Sequence, residues 1–231
     1  MLPGHRRRGT GRLLWGAVAD LARSAGRTRV GGEVSVAPVD GGPGLEFAAA
    51  MGAVEKHREY HLLLDLPVPP AAVDRAYDVV TWRGRCPDEH RAAYLAMRNQ
   101  MNADVPLGEL DLEPTVLDDT RLASEEARLM RSYDVRVAAA RRRSDGEFGG
   151  YSLLFVPHGE TFAWQDDTLV MPDHRGHRLG AALKTVNYAD LPDDVEVVHT
   201  WTAPSNGAMH RTNTALGFRV VERMHEMEAA V

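Results

Sequence analysis

Two adjacent carboxylates, Asp166 and Asp167, sit in the segment Gln165-Asp166-Asp167-Thr168. A positioned carboxylate can take a proton from a reacting group, and a second negative charge beside it raises its pKa towards the range a general base needs. In a regular strand, neighbouring side chains point to opposite faces. A bulge near Thr168 or Leu169 would aim Asp167 at a cleft, so Asp167 is the first candidate base and Asp166 the second. The plain alternative is a pair of solvated acids at a strand end. His199 is the third candidate, and a lone histidine on a strand is more often packed or solvated. A few residues downstream of the acids stands Arg175-Gly176-His177-Arg178-Leu179-Gly180, a basic, glycine-containing run. Its chemistry would be anion binding.

The elements around these residues fit that chemistry. The β-prone run 168–171 ends at Pro172, and beyond the basic run Leu179, Ala182, Leu183 and Val186 recur at helical spacing. A strand, a basic turn and a helix start make a phosphate site, because the first helical N–H groups lack partners and the helix dipole favours an anion there. Strands are expected over 77–82, 134–142, 151–156, 161–170, 195–202 and 218–227. Helices are expected over 87–101, 118–132, 179–189 and 206–216, the last closed by Gly217. A turn at Ser144-Asp145-Gly146-Glu147 joins the second and third of these strands, and 102–113 reads as a loop. Before them come a helix over 11–25, a strand over 28–36, a Gly/Pro loop, a short helix over 45–51 and a strand within 54–66. Pro67-Val68-Pro69-Pro70 marks a linker.

The basic turn has a second copy. Pro3-Gly4-His5-Arg6-Arg7-Arg8-Gly9-Thr10-Gly11 aligns without gaps on the run from Pro172 to Gly180, offset by 169 residues, with the proline, histidine, one arginine and the last glycine in common. Glu33 to Val36 then matches His199 to Thr202, and Ala50 to Ala53 matches Ala215 to Phe218. The offset shortens from 169 to 166 and then 165 residues along these segments, and self-similarity at a nearly constant offset is the mark of duplication.

The turn resembles motif A of the GCN5-related N-acetyltransferases, Arg/Gln-x-x-Gly-x-Gly/Ala, with Arg178 where the family usually has glycine. Asn206 to Phe218 resembles the family's Asn-x-x-Ala/Met-x-x-x-Tyr-x-x-x-Gly-Phe stretch. The element order over 77–231 is that of the family. The resemblance implies an α/β (α+β) acetyltransferase fold: a mixed sheet whose fourth and fifth strands splay around the acetyl-CoA site, preceded by a partial repeat. The expected divisions are a partial copy over 1–66, a linker over 67–76 and an acetyltransferase domain over 77–231. The resemblance also implies the roles. Arg175, Gly176, His177, Arg178, Leu179 and Gly180 would hold the pyrophosphate, and the backbone of Leu169, Val170 and Met171 would pair with pantetheine. Asn206 would cap the last helix and touch the cofactor. Asn213 falls where the family's tyrosine often protonates the departing thiolate. An amide is no acid, so either solvent protonates the sulfur or the domain lacks that refinement.

Composition narrows the alternatives. The chain has 231 residues, 44% of them hydrophobic, a net charge of −6 and one cysteine, Cys86. The charge argues against general nucleic-acid affinity, and a single cysteine excludes a disulfide framework and a cysteine-based zinc site. No metal is expected. No apolar run is long enough to span a membrane, so no membrane partner is expected and a cytoplasmic location is. The leading expectation is transfer of an acetyl group from acetyl-CoA to the amine of a small molecule, by direct attack in a ternary complex. The alternative is a module that binds acyl-CoA without turnover. Only Met1 to Pro3 precede the first turn, so the first copy is expected to be catalytically empty, unless Met1 is an internal start. Its apolar face of Leu13, Leu14, Ala17, Val18 and Leu21 is expected to be covered, by the second domain or in a homodimer.

Overall fold

A computed structural model of the chain describes residues 2–38, 41–104 and 115–231. The chain divides into two compact units. One comprises residues 2–61 and 220–231, the other 62–104 and 115–219.

The first unit contains α1 (Thr10–Ser24), β1 (Arg29–Val36), α2 (Pro43–Ala50), the start of β2 (Val54–Asp65) and nearly all of β8 (Arg219–Ala230). Its strands run in the order β1-β8-β2. β1 and β8 are antiparallel, with Val34 opposite His225. Thus the chain's last strand lies between two strands from near its start. α2 lies close on β1, since a Cβ at Gly44 would stand 2.7 Å from a Val34 methyl. α1 is amphipathic, yet only Ala19 is buried along it. Leu13, Leu14, Val18 and Leu21 are between 46% and 76% exposed. His57, Glu59 and Glu226 bring one ligand atom each within 4.8 Å of one another, the one group among the described residues close enough for a metal ion.

The second unit contains the end of β2, then β3 (Tyr77–Arg83), α3 (Asp88–Asp104), α4 (Asp119–Leu129), β4 (Tyr133–Arg142), β5 (Phe148–Pro157), β6 (Phe162–Val170), α5 (Leu179–Ala189), β7 (Val197–Thr202) and α6 (Gly207–Leu216). The loop expected at 102–113 begins after Asp104, and the rest of it lies outside the described residues. Strand order is β2-β7-β6-β5-β4-β3. The pairs from β3 to β6 are antiparallel and β6–β7 is parallel, so the sheet is mixed. Period-2 alternation along β4 fills two cores. Val137 and Ala139 join Trp82, Tyr94, Leu122, Tyr151 and Phe155 on one face. Ala138 and Ala140 join Tyr77, Leu179 and Leu183 on the other. α5 rests on β4, β5 and β6. Trp82 is core, as its strand position suggests. Trp164 is half-buried against the first cluster, and Trp201 is 38% exposed. No helix among the described residues is long and apolar enough to cross a membrane.

Candidate active site

β6 and β7 pair over three residues only, Phe162↔Val197 to Trp164↔His199. One further link closes the pairing: Thr200 Oγ1 donates to the Gln165 carbonyl at 3.1 Å. Beyond it both strands continue, β6 to Val170 and β7 to Thr202, without a ladder between them. The register on the other side of β6 decides which backbone groups face this opening. The Met171 N–H donates to the Gly149 carbonyl, and Val170 stands opposite Gly150. Main-chain groups alternate in direction along a strand, so Leu169 and Met171 direct theirs at β5, while Val170 and Thr168 direct theirs at the opening. Of the three residues expected to offer a pairing edge, Val170 alone does so. Thr168 is the second, which the sequence did not mark. Leu169 instead contributes its side chain to the core.

At the end of this edge the chain makes a 3₁₀ turn, Pro172–His174, and enters α5. Gly176 (φ 91°) and Arg178 (φ 57°) are both left-handed. Arg178 is the N-cap, and no side chain caps the helix, so its first N–H groups point outward without a side-chain acceptor, as an anion site requires. Gly180 lies where a Cβ would be 3.7 Å from Thr168 and 3.9 Å from both Val170 and Thr212; it lets α5 come down close to the opening. The turn is anchored from below. His174 is 1% exposed, shares a 2.9 Å hydrogen bond with the Tyr77 hydroxyl and packs on Gly149, where a Cβ would be 2.6 Å from its ring. Arg175 and His177 are exposed and pair with Asp104 at 3.3 Å and Asp74 at 2.7 Å. Leu179 is buried, so only its backbone is at the turn.

The two carboxylates share one face. Ser152 stands opposite Thr168 but Leu154 opposite Gln165, so β6 carries one extra residue there: a bulge. Gln165 meets the Tyr188 hydroxyl of α5, and Thr168 packs by Gly180 of α5. Asp166 and Asp167 lie between them and both face α3. Regular alternation, which would set them on opposite faces, is broken at this point. Asp167 is half-buried and held: its Oδ2 accepts from the Tyr151 hydroxyl at 2.7 Å and lies 3.4 Å from Arg98 Nε. Arg98 itself donates to Glu125 at 2.8 Å. Burial raises the Asp167 pKa, against the lowering pull of Arg98 and Tyr151. Asp166 is exposed at its surface, yet its carboxyl is desolvated, and burial followed by the Asp167 charge pushes its pKa up to about 7.

The remaining candidates divide. His199, half-buried on β7, lies edge-on to Phe162 and stacks on Trp201, so it belongs to an aromatic row. Asn206 caps α6, its side chain accepting from the Met209 N–H at 3.1 Å. Asn213 is fully buried, bonded to Lys184 and to Thr202. Cys86 is buried, its thiol pushed up to about 12 by burial, which leaves no thiolate for chemistry.

No family model matches the sequence, and no curated protein matches it. Solved structures do. A tandem GNAT protein from the clavulanic acid biosynthesis pathway, solved without acetyl-CoA, is 30% identical, with a TM-score of 0.78 over 99% of this chain and 72% of that one. The chain belongs to the GCN5-related N-acetyltransferases. Such an acetyltransferase from Sphaerobacter thermophilus is 16% identical, with a TM-score of 0.71 over 99% of this chain and 70% of that one. One from Kribbella flavida is 15% identical, with a TM-score of 0.59 over 93% and 73%. These two share the fold. At the level of the family, acyl-CoA-dependent acetyl transfer is the class of activity and acetyl-CoA the co-substrate.

Four residues of this region went unmarked in the sequence. Tyr151 and Arg98 hold Asp167 from β5 and α3, and nothing in their local sequence marks them, because they meet the acid only through the fold. Thr168 was passed over for its neighbours. Lys184 had a visible signal, being the one charged residue in an apolar helix.

Proposed function

We propose that the second unit binds acetyl-CoA in the opening between β6 and β7 and transfers its acetyl group to the amine of a small molecule, by direct attack in a ternary complex. The observation that carries this reading is continuity. An uncapped helix start at Arg178 to Gly180 leads to a free strand edge at Val170 and Thr168, which ends at a carboxylate of raised pKa, Asp166. The helix start would hold the pyrophosphate with Arg175, Gly176 and Arg178, and the strand edge would pair with the pantetheine amides. Acetyl-CoA supplies the activated acyl group. Asp166 is the base in this reading and takes the proton the amine sheds as it attacks. Asp167, pinned by Tyr151 and Arg98, positions the strand and keeps a negative charge beside Asp166. A hollow over α4, lined by Thr120, Arg121, Ser124, Glu125 and Arg128, borders the Arg98–Glu125 pair and is the natural side for the acceptor. The first unit holds no second site in this reading, so one CoA binds per chain.

A base whose pKa is raised by burial and by the Asp167 charge makes turnover rise with pH as it ionises. Asp166→Asn should lower kcat about 100-fold or more and remove that limb of the profile, with CoA affinity little changed. Asp167→Asn should cost mainly stability. Steady-state kinetics over pH, with calorimetry for CoA, checks this; equal, modest losses in both variants would exclude Asp166 as the base. One observation favours a second reading, binding without turnover. Asn213 is locked between two partners and offers no acidic proton. A sample that binds acetyl-CoA and turns over none of a broad amine panel would support it.

A further inference from the structure

Lys184 is 1% exposed, as buried as the leucines beside it. Its Nζ donates to Asn213 Oδ1 at 2.8 Å and lies 5.4 Å from the centre of the Phe218 ring. Asn213 in turn donates to Thr202 Oγ1, at the end of β7, at 3.2 Å. An ammonium carries three donors, and burying one without a counter-charge is costly. Among the described residues the lysine makes this one hydrogen bond, and no ionisable group from α5, α6 or β7 acts on it. Burial alone lowers its pKa, to about 7. A packing role would be met better by methionine or leucine, so the position calls for a ligand that needs a cation.

Its place in the fold says which. Lys184 follows Gly180 by one helical turn, on the same face of α5. Gly180 faces Thr168 and Val170 on β6 and Thr212 on α6, and Asn213 is the next residue of α6. Lys184 is therefore one level further in along the same seam where β6 and β7 part, beyond the helix start that would hold the pyrophosphate. Resting on the acyl-transfer reading above, we propose that the Lys184 ammonium, held by Asn213 Oδ1, is the charge partner of the thiolate that leaves during transfer. The amine nitrogen forms its bond to the acyl carbon, and the C–S bond breaks with its electron pair going to sulfur. The proton the amine sheds goes to Asp166. The sulfur departs as an anion beside Lys184 and takes a proton from solvent on release. Nothing is oxidised or reduced. A free thiol has a pKa of about 8.5, so at neutral pH a cation beside the departing sulfur favours its charged form and lowers the cost of the charge that develops there.

The test is the ionisation of CoA bound to the full chain, followed by the ultraviolet absorbance of its thiolate across pH, in the wild type, Lys184→Met and Lys184→Gln. The glutamine keeps a hydrogen bond to Asn213 without the charge. The bound thiol should ionise at least about tenfold more readily in the wild type, one pH unit, and both variants should lose that gain while binding desulfo-CoA as the wild type does. A thiol that ionises at the same pH in all three, with CoA bound, would overturn the role of Lys184 and leave the acyl-transfer reading standing. A wild type that binds no CoA would overturn both. The protein without ligand gives a second readout. The unfolded lysine holds its proton up to about pH 10.4 and the folded one only to about 7. The unfolded state then binds more protons in that window, so stability should rise with pH across it. Lys184→Met should flatten that rise.

Discussion

The turn that opens α1 and the turn that opens α5 are alike in backbone and unlike in surroundings. Each begins with a 3₁₀ turn, Pro3–His5 and Pro172–His174. Each then has two left-handed residues: Arg7 (φ 62°) and Gly9 (φ 86°) in one, Gly176 (φ 91°) and Arg178 (φ 57°) in the other. At the 169-residue offset these positions coincide, with glycine and arginine exchanged. Further on, Leu14 and Leu183 coincide, and one is 61% exposed while the other is fully buried. His5 is exposed, whereas its counterpart His174 is buried against Tyr77 and Gly149. The same few residues thus encode the same path of the chain. How far that path is supported depends on what lies beneath it: β4, β5 and β6 under α5, but β1 under α1.

The sharpest way to break this comparison is to fill the glycine each helix shares. At Gly180 a larger side chain must displace Thr168, Val170 or Thr212 from van der Waals contact. Gly180→Leu should push α5 off the strand edge at a cost of about 1–3 kcal/mol, and CoA affinity should fall roughly ten- to a hundredfold. Gly11→Leu meets Phe47 instead, at 3.0 Å, and should disturb only its own unit. Calorimetry reads both affinity and stoichiometry. Two CoA per chain, or an equal loss from Gly11→Leu, would mean that the first turn also binds and that the difference in support is without consequence.

A second contrast separates the leucines and is read in stability rather than in binding. Leu183→Ala removes a fully buried side chain from the cluster with Tyr77 and Leu179 and should cost about 2–5 kcal/mol. Leu14→Ala removes an exposed one and should stay within about 0.5 kcal/mol. Chemical denaturation of the full chain measures both. A large loss from Leu14→Ala would show that its face is covered in solution, and repeating the measurement across protein concentration would show whether a second copy covers it.

Much of this was legible in the sequence, and the exceptions have physical causes. The strand–turn–helix at 168–183, the hairpin at 144–147 and the Asn206 cap were readable because each is written in local residue types and spacing. The pairing edge was only half readable. Which main-chain groups face the opening depends on whether Met171 bonds to Gly149, a matter of register with a strand twenty residues away. The acids were half readable for a related reason. A bulge aiming Asp167 was expected, and the bulge present sets Asp166 and Asp167 on one face, where Tyr151 and Arg98 hold Asp167. Lys184 hid in plain sight, because a lysine in a helix reads as a solvent-facing residue until the neighbouring helix is placed over it.

The smallest effect tests what the two turns share. A non-glycine residue in the left-handed region is strained by roughly 1–2 kcal/mol, and Arg178 and Arg7 both stand there. Replacing either by glycine relieves that strain, but it also frees the unfolded chain, which costs about 0.4–1 kcal/mol. The balance runs from about zero to a gain of about 1.6 kcal/mol, or up to about 6 °C in melting temperature for a chain of this size. Because strain of this kind is local, Arg7→Gly and Arg178→Gly should give similar gains without ligand, even though their surroundings differ in every other respect. Their effects should part only when CoA is added. Arg178→Gly removes a positive charge from the helix start and should weaken binding in a salt-dependent way, while Arg7→Gly should leave binding alone. Thermal melts with and without CoA decide it. Unequal shifts without ligand would show that the two turns are held differently even at the level of the backbone, and that their likeness stops at sequence.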